Sequence, residues 1–191
     1  MRVLIIPEDF RNDQYILKPL FSRFFQSIGK GRVRVDVCHD PLLGGVREAL
    51  KSERIEEVIG RHGGMTDIFI LCIDRDGEEG RRQRLDQLEV KFDNGRTFLA
   101  ENAWEEIETW ILAGLDYLPS DWDWSTVRAE VQVKETYFDS IVALRGLLDA
   151  PGGGRKPLAE EASRRINAIR QKCPEDFDNL ARRLEDAVRS A

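Results

Sequence analysis

Two short, uninterrupted apolar runs constrain this chain most: Val3-Leu4-Ile5-Ile6 and Ile68-Phe69-Ile70-Leu71-Cys72-Ile73. Runs of that length with no polar break suit strands buried on both faces, as in a parallel sheet covered by helices on each side. Val33, Val35 and Val37 alternate as a further strand, broken by Asp40-Pro41 and Gly44-Gly45, and Thr97–Ala100 reads as a short fourth. Between the strands the apolar period changes to that of a helix. Leu17, Leu20, Phe21, Phe24 and Ile28 share one face, with Gly29 as a stop. A second helix is predicted from Val46 to Ile59, a short exposed one over Gly80–Glu89, and one closing the unit along Trp104, Ile107, Ile111 and Leu115. Such alternation predicts an α/β fold: a four-stranded parallel, Rossmann-like sheet of order 2-1-3-4 with right-handed crossovers.

Beyond this unit the pattern changes, which divides the chain into a core at 1–118 and a mainly helical appendage at 119–191 packed on it. The appendage opens with the tryptophan-rich Ser120-Asp121-Trp122-Asp123-Trp124 and an expected edge strand, Val131-Gln132-Val133. A helix over Tyr137–Leu148, the flexible Pro151-Gly152-Gly153-Gly154 and helical segments from Leu158 to Val188 complete it. Trp104, Trp110, Trp122 and Trp124 are expected chiefly as core joining appendage to sheet, since large aromatics dominate core energetics. A partner-anchoring role is the alternative.

Composition narrows the function classes. At 41% hydrophobic residues the chain builds a true core, which excludes intrinsic disorder. No apolar run nears the roughly 20 residues of a membrane span, and the N-terminal run is too short for a signal peptide. Cys38, Cys72 and Cys173 form no CxxC pair and are odd in number. A soluble cytoplasmic protein without membrane association is expected. A net charge of −6 excludes an all-over basic coat for nucleic acid.

In open parallel sheets ligands bind beyond the carboxyl ends of the strands. Glu8 and Asp9 follow the first strand, Asp74 and Asp76 the third, and Glu101, Glu105, Glu106 and Glu108 the fourth. Acids there are often only solvated loop residues or helix N-terminal charges. Brought onto one edge, they repel unless a cation neutralises them, and Mg²⁺ or Mn²⁺ takes oxygen ligands. On a helix Glu106 and Glu108 point in different directions, whereas Glu101, Glu105 and Glu108 share a face. Only one or two of these glutamates are therefore expected to reach a metal.

A Glu after strand 1, Asp74-Arg75-Asp76-Gly77 after strand 3 and the four-stranded core together resemble the Toprim domain, the metal-binding module of topoisomerases, primases and the overcoming-lysogenisation-defect nucleases. With Asp13 a few residues past Glu8 and Glu106-Ile107-Glu108-Thr109-Trp110 further on, residues 1–115 look closer still to small bacterial Toprim-like proteins. Two positions depart from that pattern. Asp9 stands where Toprim domains usually have Gly, and Asn12 where the second acid often falls, so Asp13 also reads as a helix-capping residue.

The resemblance implies metal-dependent phosphodiester hydrolysis of DNA or RNA, with Mg²⁺ or Mn²⁺ held by Glu8, Asp74, Asp76, Glu106 and Glu108. Glu8 would serve as ligand or general base. A cation such as Lys134, or Lys156 in the glycine loop, would offset transition-state charge. Arg81, Arg82 and Arg84 would contact phosphate, although a solvated helix face explains that cluster as well. A role in bacterial defence with an ATPase partner is also implied. The chain has no Gly-x-x-x-x-Gly-Lys-Ser/Thr loop of its own.

Other readings stay open. Asp74-Arg75-Asp76-Gly77 also resembles the first motif of haloacid-dehalogenase-type phosphatases, although it lies on the third strand and is followed by Glu78 rather than Thr. A receiver-like module lacks the Ser or Thr that its site needs after strand 4. A non-catalytic docking subunit remains the alternative from a different class. His39 and His62 show no zinc spacing to a cysteine and read as ordinary loop residues.

Overall fold

A computed structural model describes residues 1–190. The four strands are β1 (Arg2–Pro7), β2 (Arg34–Val37), β3 (Ile68–Asp74) and β4 (Thr97–Ala103). They form one all-parallel sheet in the order β2-β1-β3-β4. Ile5 sits between Val37 and Ile70 in the register, and Ile70 in turn faces Leu99.

Successive side chains of a strand point to opposite faces, so each apolar run feeds two cores. Val3, Ile5, Ile68, Ile70 and Cys72 pack on one side with α1 (Phe10–Ser27), α5 (Glu108–Gly114) and α8 (Arg155–Ser163). Leu4, Ile6, Phe69, Leu71 and Ile73 pack on the other with α3 (Ser52–His62) and α4 (Arg81–Phe92). α4 is mostly polar and holds its place through Leu85, Leu88 and Phe92, the last with its ring 5.4 Å from that of Phe98.

The helix expected over Val46–Ile59 is two helices, α2 (Val46–Ala49) and α3, parted by an extended Lys51. Geometry requires the break. Nine residues of continuous helix turn about 180° out of phase at 3.6 residues per turn, which would aim Ile55 away from the sheet that Val46 covers. The break lets Val46, Leu50, Ile55 and Val58 join the same core.

A 3-10 turn (Gly63–Met65) follows α3, and the C-terminal elements besides α8 are α6 (Trp124–Ala129), a π-helical turn (Lys134–Phe138), α7 (Asp139–Leu144), α9 (Ile166–Lys172), a second π-helical turn (Pro174–Asp178) and α10 (Asn179–Ser190). These C-terminal elements share the core of α1 and α5, through Val127, Phe138, Ile141, Ile169, Phe177 and Leu184. The approach of α5 to α8 is so close that a Cβ on Gly114 would stand 2.7 Å from Ala162.

Asp176 ties the C-terminal helices to the loop after β4. Its buried carboxylate accepts the Trp104 N–H and the Trp110 indole N–H, each at 2.8 Å, and pairs with Arg128 at 2.7 Å. Trp110 is fully buried, while Trp122 and Trp124 pack on the same core, in keeping with a joint between sheet and appendage.

No strand forms at Val131-Gln132-Val133. The outer edge of β4 is already closed there: Ala100 donates its N–H to Glu89, and its carbonyl accepts from Arg82 and Arg183. With that edge capped, Val133 buries its side chain in the helical core instead. No helix among the described residues is long and apolar enough to cross a membrane.

Candidate metal centre

β3 ends at Asp74, and the chain turns at once. Asp76 (φ 54°) and Gly77 (φ 68°) both adopt left-handed backbone, which Asp tolerates and Gly adopts freely. Glu105 holds this turn. Its carbonyl accepts the N–H groups of Arg75 (2.7 Å) and Asp76 (3.2 Å). Its carboxylate accepts the N–H of Gly77 at 2.6 Å and pairs with Arg75. The Arg75 guanidinium lies 4.0 Å from the centre of the Trp104 ring. The turn after β3 is thereby stapled to the loop after β4, and that loop delivers Glu106.

Asp74, Asp76 and Glu106 each place a carboxylate oxygen so that the three lie within 4.8 Å of one another. Backbone donors orient two of them: Ile107 N–H to Asp74 Oδ1 at 2.9 Å, and Lys134 N–H to Glu106 Oε2 at 2.6 Å. Glu8, just beyond β1, accepts the Asp74 N–H at 3.3 Å and stands beside the triad rather than in it. Asp9, not Asp13, caps α1, by accepting the Arg11 N–H at 3.0 Å. Asp13 is buried one turn in and accepts the N–H of Asp9 at 3.0 Å.

Glu8, Asp74 and Glu106 are partly withdrawn from water and Asp13 is buried, while Asp76 is exposed. Burial first, and the neighbouring charge of Asp76 with it, push the Glu8 carboxyl up to about 7. Burial and the charge of Glu8 raise Asp13 to about 8. Burial raises Asp74 well above the usual carboxylate range, with Glu8, Glu108 and Asp13 adding to it. Glu106 is raised to about 7 by burial and by the charge of Glu108. Desolvation disfavours a bare carboxylate, and like charges reinforce that. A cation relieves both.

Glu108 does not join the triad. It is the first residue of α5, and its buried carboxylate accepts Nε of Arg155 at 2.9 Å and Nη2 of the same side chain. The face expected for Glu101, Glu105 and Glu108 does not exist, because β4 runs on to Ala103 and α5 starts only at Glu108. Glu101 is a structural acid held by Arg82 (2.8 Å), Arg183 (2.9 Å) and Asn179 (3.0 Å).

The three arginines of α4 also part company. Arg81 stays at the turn, 3.6 Å from Asp76 and donating to the carbonyl of Arg75. Arg82 is spent on Asp86, Glu89 and Glu101. Arg84 points to Gln87 and the Leu50 carbonyl. Neither is free to meet phosphate at the triad. Lys134 contributes its backbone N–H to Glu106, while its Nζ pairs with Glu135 at 2.7 Å. Lys156 is exposed on the first turn of α8. His62 bonds the Asp40 carbonyl at 2.7 Å and His39 meets the Phe10 ring edge to face, both apart from the triad. The three thiols are free and buried.

A donor set of three carboxylates, with no imidazole or thiolate, suits a hard divalent cation. The triad fits such an ion. No family model matches the chain, and neither curated proteins nor solved structures show a significant match to it. Fold and site together define an α/β protein with an all-parallel sheet and an acidic cluster at the strand ends able to hold a metal ion.

Proposed function

We propose that this chain is a Toprim-like, divalent-metal-dependent phosphodiester hydrolase acting on DNA or RNA. The observation that carries the reading is the convergence of Asp74, Asp76 and Glu106, with oxygens within 4.8 Å of one another, beside Glu8. The parallel sheet of order 2-1-3-4 and the strand-end positions of Glu8, Asp74 and Asp76 support the reading. Mg²⁺ or Mn²⁺ held by Asp74, Asp76 and Glu106 would supply polarisation of the phosphodiester and stabilisation of the leaving oxygen.

The remaining residues divide the work. Glu8, which accepts the Asp74 N–H beside the triad, takes the proton of an attacking water as general base. Arg81 is the guanidinium placed to offset charge on the phosphate. Lys134 acts through its N–H, which fixes the Glu106 carboxylate. Glu105 sets the turn on which Asp76 stands. An ATPase partner and a role in bacterial defence belong to the same proposal.

The test is cleavage of supercoiled plasmid and of single-stranded RNA in Mg²⁺ or Mn²⁺. Wild-type protein should cleave at least one of them, and Asp74→Ala and Asp76→Ala should abolish the activity with circular dichroism unchanged. A wild-type protein that cleaves neither, at any concentration of either metal and with or without an added ATPase, overturns the proposal.

A further inference from the structure

Resting on the phosphodiesterase reading, we infer that the cleft along the free edge of β2 is the track by which a single strand of nucleic acid reaches the carboxylate centre. The sheet has two edges, and among the described residues only that of β4 is capped, at Ala100, by side chains of α4 and α10. At β2 the N–H of Arg34 donates to Met1 O at 3.1 Å and that of Cys38 to Ile5 O at 2.7 Å. Residues at alternate positions therefore turn their peptide groups to β1, and Val35 and Val37 turn theirs outward.

A cavity of about 300 Å³ runs along this edge, between α1 on one side of the sheet and the end of α3 on the other. Arg2, Lys18 and Arg34 line it, with His39 and His62, and Asp36 is its one lining carboxylate. Asp36 is shared between Arg2 (3.1 Å) and Arg34 (2.9 Å), so two guanidiniums spend one negative charge between them. Lys18 adds a further exposed ammonium. In a chain of net charge −6 this cleft is locally cationic, which is what a phosphate chain requires.

The cleft leads toward the proposed centre. Phe10 lines it and also lines a second cavity, of about 420 Å³, shared with Asp9, Arg11 and Gly45. The N–H of Gly45 donates to the carbonyl of Glu8 at 2.9 Å, so the trough ends beside the residue that contacts Asp74. At Phe10, which lines both cavities, the ring packs edge to face with that of His39, their centres 5.6 Å apart. Cations along a groove with aromatic rings set among them are the pattern that grips a single strand, phosphates on the charges and bases on the rings. Stacking needs unpaired bases, which selects a single strand over a duplex. An acidic peptide is the poorer fit, since a strand of four residues with two outward-facing peptides offers little ladder for added β pairing.

Anisotropy of labelled oligo(dT) in EDTA, titrated with protein at several salt concentrations, tests this apart from catalysis. Lys18→Gln/Arg34→Gln should weaken binding by about tenfold or more and lower the salt slope by about 1.4, at roughly 0.7 per lost phosphate contact. Phe10→Ala should weaken binding by about tenfold and leave the slope unchanged. Arg182→Gln, which removes an exposed guanidinium of α10 outside both cavities, should bind as the wild type does. Wild-type protein that fails to bind oligo(dT), that prefers duplex or poly-glutamate, or whose affinity survives the double substitution overturns the track. Cleavage with binding unaltered by these substitutions rejects the track and spares the hydrolase. The expected binding pattern without any cleavage does the reverse.

Discussion

The carboxylate of Glu8, at the end of β1, accepts the backbone N–H of Asp74, at the end of β3, at 3.3 Å. That bond joins two adjacent strands at the point where the acids crowd, and it leaves Glu8 with the charges of Asp76 and Asp9 against it. The consequences can be measured.

Because Glu8 is pushed up to about 7 and Asp13 to about 8, the folded chain holds protons that the unfolded chain has released above its ordinary carboxyl values. Stability then falls with rising pH wherever the native state binds more protons. In EDTA the contribution of these two groups should be fully present below about pH 4 and should be lost on going up to pH 8. Comparison of Tm at pH 5 and pH 8 should show this slope, and Glu8→Gln should flatten it. A slope identical in Glu8→Gln would assign the effect elsewhere.

Divalent metal should stabilise the protein in proportion to its occupancy. At a hundredfold excess over Kd the gain is about 2.7 kcal/mol, or roughly 5–10 °C in Tm for a chain of this size. Mg²⁺ or Mn²⁺ should produce that rise in the wild type and little or none in Asp74→Ala, Asp76→Ala or Glu106→Ala. Equal rises in all four proteins would place the ion at another site.

Arg155 and Glu108 form a buried pair between α8 and α5, close enough to the centre that Glu108 raises both Asp74 and Glu106. Removing the cation alone strands a buried charge, which costs about 3–5 kcal/mol. Arg155→Met should therefore destabilise strongly in denaturant unfolding, and Glu108→Gln/Arg155→Met should recover much of the loss. Additive losses in the double-mutant cycle would show that the two residues act independently.

Gly114→Ala should destabilise by about 1–3 kcal/mol through overpacking, because the new Cβ meets both the backbone and the side chain of Ala162 at under 3 Å. Thermal melting checks this, and an unchanged Tm would mean that α5 and α8 can separate without cost.

The sheet was legible in the sequence because its information is local. The runs Val3–Ile6 and Ile68–Ile73 bury both faces whatever surrounds them, and alternation with helical periods leaves few topologies. Asp74 and Asp76 were legible for the same reason, since a strand end is where an open sheet presents its ligands. Asp176 as the tie of the C-terminal helices and Glu105 as the clamp on the Asp76 turn carried no such local signal. Each acts on partners that the chain brings up from elsewhere, such as Trp110 and Arg128 for Asp176.

The same division runs through the acids that follow β4. Period set Glu101, Glu105 and Glu108 on one face, and the resemblance singled out Glu106 and Glu108, without deciding which of the four reaches a metal. Long-range partners separated them: Arg82 and Arg183 claim Glu101, Arg75 claims Glu105, and Arg155 claims Glu108. Glu106 alone is left facing Asp74 and Asp76, held by an N–H from Lys134. A buried carboxylate is ionised and placed by whichever cation or donor reaches it, and that is a property of packing across tens of residues. Periodicity specifies which face of a strand or helix is apolar, but not which charge will stand opposite another.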